Sequence, residues 1–109
     1  MTAATYTLPK PISVNKLRGG RSNVITEAYK RWNREVGWML KAQNARPMKP
    51  PYEVHIAIEA GCKIDVDNAP KAILDALETA GVLTNDRMVN RLVSERSDNP
   101  ITTVTITET

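Results

Sequence analysis

The sequence predicts a single α+β domain over residues 1–109, a small mixed sheet with two helices packed on it, in the order β-α-β-α-β-β. Three observations predict it. The length suits one hydrophobic core and is too short for two ordinary ones. Two windows carry apolar residues at spacings of three and four, and four windows alternate polar with apolar in the manner of half-buried strands. Hydrophobic residues at 41% and charged residues at 25% match globular averages, which argues against disorder or a coiled coil.

The first strand is Thr5 to Leu8, with Tyr6 and Leu8 on one face, stopped by Pro9 and Pro11. Val14 to Asn23 holds Asn15, Lys16, Arg18, Gly19, Gly20, Arg21 and Ser22 with little apolar periodicity and reads as a basic loop. A helix begins at Thr26, the N-cap candidate, with Glu27 in its first turn and Ala28, Trp32, Val36, Met39 and Leu40 as its apolar stripe. Lys30, Arg31, Arg34 and Lys41 lie opposite, Trp32 falls in the core stripe, and Trp38 lies off it. Pro47, Pro50 and Pro51 are expected to end this helix and stiffen the link to the clearest strand, Tyr52 to Ala60. There Tyr52, Val54, Ile56 and Ile58 alternate with Glu53, His55, Ala57 and Glu59, so His55 belongs to the polar face.

The second helix, of about three turns, buries Ile73, Leu74, Leu77 and Ala80 and closes at Gly81 as a C′ glycine. Asp67 or Asn68 is its N-cap, and Pro70 is tolerated in the first turn, where the missing N–H has no helical acceptor. Met88 to Ser94 and Ile101 to Glu108 are the last strands, separated by the turn residues Ser97, Asp98, Asn99 and Pro100.

Charge is unevenly divided. Residues 1–54 carry ten Lys/Arg against three Glu, whereas residues 55–109 carry five against nine acids. Isolated basic residues on a helix are ordinarily a solvated face, but a local surplus of seven draws polyanions without base contacts, and nucleic acid is the obvious one. The candidate phosphate contacts are Lys16, Arg18, Arg21, Lys30, Arg31, Arg34 and Lys63. Apolar runs break well before the ~18 residues of a membrane span, and the N-terminus lacks a basic-then-apolar signal pattern, so a cytoplasmic protein is expected. Cys62 is the sole cysteine and His55 the sole histidine, too few for a disulfide or a four-ligand zinc site, so any metal must be held by oxygen.

Asp65 and Asp67 stand two apart in what is expected to be an extended lead-in to the second helix, which would turn both carboxylates to one side. Such a pair is unfavourable unless a cation, a proton or a basic side chain sits between the carboxylates, and a hard divalent ion meets that need: Mg²⁺ binds through a few carboxylates, waters and phosphate oxygens. Lys71 is i+4 from Asp67 and can lean back toward the pair if the helix has begun by then. The same residues also read as helix-capping acids with a surface lysine. A calcium loop does not fit, since Pro70 would occupy the glycine position and Ala76 that of the closing Glu. Asp86 follows in the loop after the second helix, and nothing in the spacing forces it to join the pair.

The string Asp65-Val-Asp-Asn-Ala-Pro-Lys71, followed by Leu74-Asp75-Ala76-Leu77, Gly81-Val82-Leu83 and Asn85-Asp86, resembles the RusA family of Holliday junction resolvases. The opening Tyr6-Thr-Leu-Pro with Pro11, Ser13 and Asn15, and the pair Tyr29 and Trp32, extend the likeness over nearly the whole chain. The resemblance implies an α+β endodeoxyribonuclease of DNA recombination and repair, often phage or prophage encoded. It also implies a homodimer acting on four-way junctions with Mg²⁺, or Mn²⁺ in its place. By it Asp65, Asp67 and Asp86 are the metal-binding catalytic acids and Lys71 the essential basic residue. Asn85 departs from the family pattern, where an acid is frequent, and Lys63 is the only basic residue just before the motif. Asp75, i+4 from Lys71, reads as an orienting partner or a helix-surface ion pair. The competing class is a non-catalytic DNA-binding protein of phage origin, whose basic half does the binding and whose acids are caps.

Overall fold

The computed structural model describes residues 2–12 and 27–109. It contains β1 (Ala3–Leu8), α1 (Glu27–Ala42), β2 (Tyr52–Ile58), α2 (Ala69–Thr79), a single 3-10 turn at Asp86–Met88, β3 (Val89–Arg96) and β4 (Thr102–Glu108). The α+β order expected from the sequence is the observed one. The basic loop with Lys16, Arg18 and Arg21, and the Thr26 N-cap, lie outside the described residues.

The four strands form one sheet in the order β1-β4-β2-β3. β4 runs antiparallel to both β1 and β2, while β3 runs parallel to β2 after the α2 crossover and stands at the edge. Strand alternation divides the sheet into two faces. Tyr52, Val54, Ile56 and Ile58 of β2, with Val104 and Ile106 of β4 and Tyr6 and Leu8 of β1, are buried under the helices. The other face is open to solvent and carries Glu53, His55, Arg91, Glu95, Thr105 and Thr107 around a shallow depression. His55 is on this polar face as expected, hydrogen-bonded to Glu95.

α1 buries Trp32, Val36 and Leu40, with Met39 half-buried, while Ala28 is exposed and falls off the stripe. Trp32 is 6% exposed and stacks on Tyr29 with ring centroids 6.2 Å apart. Trp38 is 71% exposed. α2 buries Ala69, Pro70, Ala72, Ile73, Ala76 and Leu77; Leu74 is half-buried and Ala80 is exposed. No helix among the described residues is long and apolar enough to cross a membrane.

The prolines do not end α1. The helix stops at Ala42, and Asn44 takes a left-handed φ of 58°. The Ala45 N–H then reaches back to the Leu40 carbonyl at 2.9 Å and the Asn44 N–H to that of Lys41 at 3.0 Å. This is a Schellman closure, which satisfies carbonyls the helix end would otherwise orphan. α2 closes the same way: Gly81 has φ 83°, the Val82 N–H donates to the Leu77 carbonyl at 3.0 Å, and the Gly81 N–H donates to that of Glu78 at 3.0 Å. Gly81 therefore stands where the sequence predicts, and Asn44 supplies in α1 what a glycine supplies in α2.

Candidate active site and nucleic-acid interface

Between β2 and α2 the chain alternates in and out: Cys62 and Ile64 are buried, Lys63 and Asp65 exposed. The extended lead-in expected through Asp67 is not found. Residues 65–68 form a turn, in which the Asp65 carbonyl accepts from the N–H groups of Asn68 at 3.0 Å and Ala69 at 3.2 Å. The same-side argument from strand alternation thus applies to Lys63 and Asp65, not to Asp65 and Asp67. Both acids remain on one short, exposed turn. Asn68 is the N-cap residue of α2, but its side chain does not cap the helix; its amide donates instead to Asp65 Oδ2 at 3.5 Å. The positive end of the α2 dipole therefore opens beside the acids with no side-chain acceptor on it, an arrangement favourable to negative charge. Because α2 starts at Ala69, Asp67 lies outside the helix and the i+4 relation to Lys71 does not hold. Lys71 is exposed in the first turn.

Two β3 residues hold this turn in place, and sequence reasoning missed both. The Arg96 guanidinium donates to the carbonyl of Cys62 and to that of Ile64, the latter at 2.6 Å, and Ser94 Oγ donates to the Val66 carbonyl at 2.5 Å. The register pairs Ile56 with Ser94 and Ile58 with Arg96, so both polar residues sit on the sheet face that buries isoleucines in β2. That misplacement was the available signal: a strand reading Leu92-Val93-Ser94-Glu95-Arg96 puts Ser and Arg where apolar residues belong. Here they satisfy carbonyls of the acid turn, and the charged donor makes the stronger bonds.

Asp86 lies at the opposite end of β3. It opens the 3-10 turn that precedes Val89, whose partner is Tyr52 at the start of β2, whereas Ser94 and Arg96 hold the acid turn farther along the strand. Among the described residues no group of three or more His, Cys, Asp or Glu side chains converges to hold a metal ion. Asp65 and Asp67 are thus brought together on one turn, and Asp86 is not gathered with them into a three-acid cluster. Asn85, the departure from the pattern, acts locally, since its Oδ1 accepts from the Arg87 N–H at 2.9 Å and caps the 3-10 turn. An aspartate could accept the same bond.

The donor chemistry fits a hard divalent cation. Two solvent-facing carboxylates on an anchored turn offer oxygen only, and Mg²⁺ commonly takes one or two protein carboxylates and completes its shell with water and phosphate. The single buried thiol, Cys62, faces the core, and His55 is on the far side of the sheet.

The cationic surface is on α1. Lys30, Arg31, Arg34 and Lys41 are all exposed, and Lys30 forms one ion pair, with Glu27 at 3.4 Å. Lys63 is exposed two residues before Asp65, in the segment that leads into the acid turn.

No curated protein matches the chain. The family model for endodeoxyribonuclease RusA matches residues 9–107, which takes in every element from α1 onward, the acid turn, Lys71 and Asp86. With nearly the whole chain covered, the protein belongs to the RusA endodeoxyribonuclease family and is a nuclease.

Proposed function

We propose that this chain resolves four-way DNA junctions by Mg²⁺-dependent phosphodiester hydrolysis, in DNA recombination and repair, as membership of the RusA family implies. The observation that carries the reading is the acid turn: two exposed carboxylates, fixed by Ser94 and Arg96 at the positive end of a helix.

Asp65 and Asp67 would hold the cation, with Asp86 as the third acid. When bound, Mg²⁺ lowers the pKa of a water and offsets charge on the scissile phosphate; Mn²⁺ can substitute. The chain's own residues do the rest. Lys71 places an ammonium at the first turn of α2, where it stabilises the charge that builds on the phosphate oxygens in the transition state. Arg96 and Ser94 keep the turn from relaxing, so the carboxylates need little reorganisation. The α1 cations and Lys63 bind phosphates away from the cut and set affinity and salt dependence. A two-fold homodimer would offer two such sites to opposed strands, which suits paired incisions.

The test is cleavage of a synthetic four-way junction. Asp67→Asn should abolish cutting in Mg²⁺ and in Mn²⁺, while junction binding in Ca²⁺ or EDTA stays largely intact. Full residual cleavage by the variant would sink the assignment. Salt-sensitive binding without nicking by the wild type, at any metal concentration, would instead identify a DNA-binding protein with capping acids. Running a fork and a linear duplex of the same sequence alongside decides the substrate class.

A further inference from the structure

Trp38 has no part in the core, in the acid turn or in any function assigned above. Among the described residues it is the largest of the exposed apolar side chains and, at 71%, the most exposed. A single exposed apolar side chain is ordinary, but an indole left in water forfeits the burial of one of the largest apolar surfaces a residue can offer, and here it stands among cations. Arg31, Arg34, Trp38 and Lys41 fall at i, i+3, i+7 and i+10 of α1, a spacing that puts them along one side of the helix, and all four are exposed.

We propose that Trp38 is a stacking platform for an unstacked DNA base, with Arg31, Arg34 and Lys41 holding the phosphates on either side of it. A basic stripe alone fits any duplex, since phosphate contacts carry no information about base pairing. An aromatic side chain set among the cations adds a contact that a stacked duplex cannot satisfy, because its bases already cover each other. A strand whose bases are open, at a branch point or in single-stranded form, can satisfy it. Stacking and cation–phosphate attraction are then made to consecutive parts of one nucleotide run. A second copy of this chain is the poorer occupant. Two such stripes meeting about a two-fold axis would set Arg31, Arg34 and Lys41 against their own copies, and like charges facing each other disfavour the contact. Glu27 is engaged by Lys30, which leaves Glu35 as the other acid of the helix to offset that repulsion.

The proposal rests on the nucleic-acid reading above, and the experiment separates the two. Wild type, Trp38→Ala and Trp38→Phe are titrated in EDTA, where nothing is cut, with a single-stranded oligothymidine, a four-way junction and a blunt duplex. Tryptophan fluorescence and affinity are read at several salt concentrations. Trp32 is buried, so a change in emission on binding reports Trp38, and Trp38→Phe gives the blank. Trp38→Ala should weaken binding to the single strand and the junction about tenfold or more, leave duplex affinity and the slope of affinity against salt unchanged, and melt like the wild type. Trp38→Phe should recover most of the loss. Wild-type emission should be quenched by the single strand and not by the duplex. Equal losses on all three DNAs, or no loss on any, would overturn the proposal while leaving the nuclease assignment standing. A change in sedimentation with unaltered DNA affinity would assign Trp38 to a protein contact and overturn it too. Failure of the wild type to bind any DNA at low salt would defeat the underlying reading as well.

Discussion

α1 and α2 pack on the same face of one sheet and close with the same reversal of chain, but they differ in what precedes and surrounds them. α1 is the longer, at 16 residues against 11, and its outer side is a run of cations interrupted by Trp38. α2 buries six of its eleven residues, leaves Asp75, Glu78 and Thr79 in solvent, and carries its one basic residue, Lys71, at its start, where the acid turn meets it. The contrast marks a division of labour: affinity is spread over a surface, where each charge is replaceable, whereas chemistry depends on one short turn whose backbone carbonyls are tied down. Spread contacts add; a fixed turn fails as a unit.

Three further variants would show whether the two helices divide the work in this way. The largest effect is expected from Lys71→Gln, which removes the cation at the first turn of α2. Cleavage of the junction under single-turnover conditions should fall by about 10²–10³, with binding in EDTA within about threefold, as for loss of one charge-stabilising group in a transition state. A loss confined to binding would move Lys71 to the affinity side. Next, replacing Arg31 and Arg34 together by Gln should lower the slope of log affinity against log salt by about 1.8, the value for two phosphate contacts on duplex, with single-turnover cleavage at saturation unchanged. An unchanged slope would remove α1 from the interface. The smallest effect, on stability, is that of Arg96→Met. Loss of the two carbonyl contacts should cost about 1–2 kcal/mol in urea unfolding, with a drop in cleavage larger than any change in affinity. Cleavage that follows stability alone would show the turn to be scaffold only.

How much of this could be read from residues alone follows a physical line. Strand faces and helix faces were legible because burial imposes a period: Tyr52 to Ile58 alternate as expected, and Trp32, Val36 and Leu40 point inward. Gly81 was legible because a left-handed φ favours glycine. Asn44 was not, because asparagine reaches the same conformation less conspicuously and the prolines farther on are the louder stop signal. The acids themselves were visible as a motif. Their local geometry was not, because the hydrogen bonds that bend residues 65–68 into a turn, and the Arg96 and Ser94 bonds that hold it, connect residues about 30 apart or depend on backbone atoms that every residue carries. Whether Asp86 would join the pair was undetermined for the same reason: its place depends on the register of β3 against β2, which sets the 3-10 turn it opens next to the start of β2.

The anchoring of the turn by β3 has a consequence for how the protein fails. β3 is one of the two edge strands of the sheet, hydrogen-bonded to β2 on one side only, and of the two it is the one that anchors the acid turn. Outer strands open at lower free energy than the interior of a sheet, since fewer contacts must be given up. Ser94 and Arg96 leave with the strand when it frays, and the acid turn loses its anchors while β1, β4 and β2 remain paired. Warming should therefore silence cutting several degrees before the sheet melts, so that nuclease activity becomes a sensor of edge fraying and not of global unfolding.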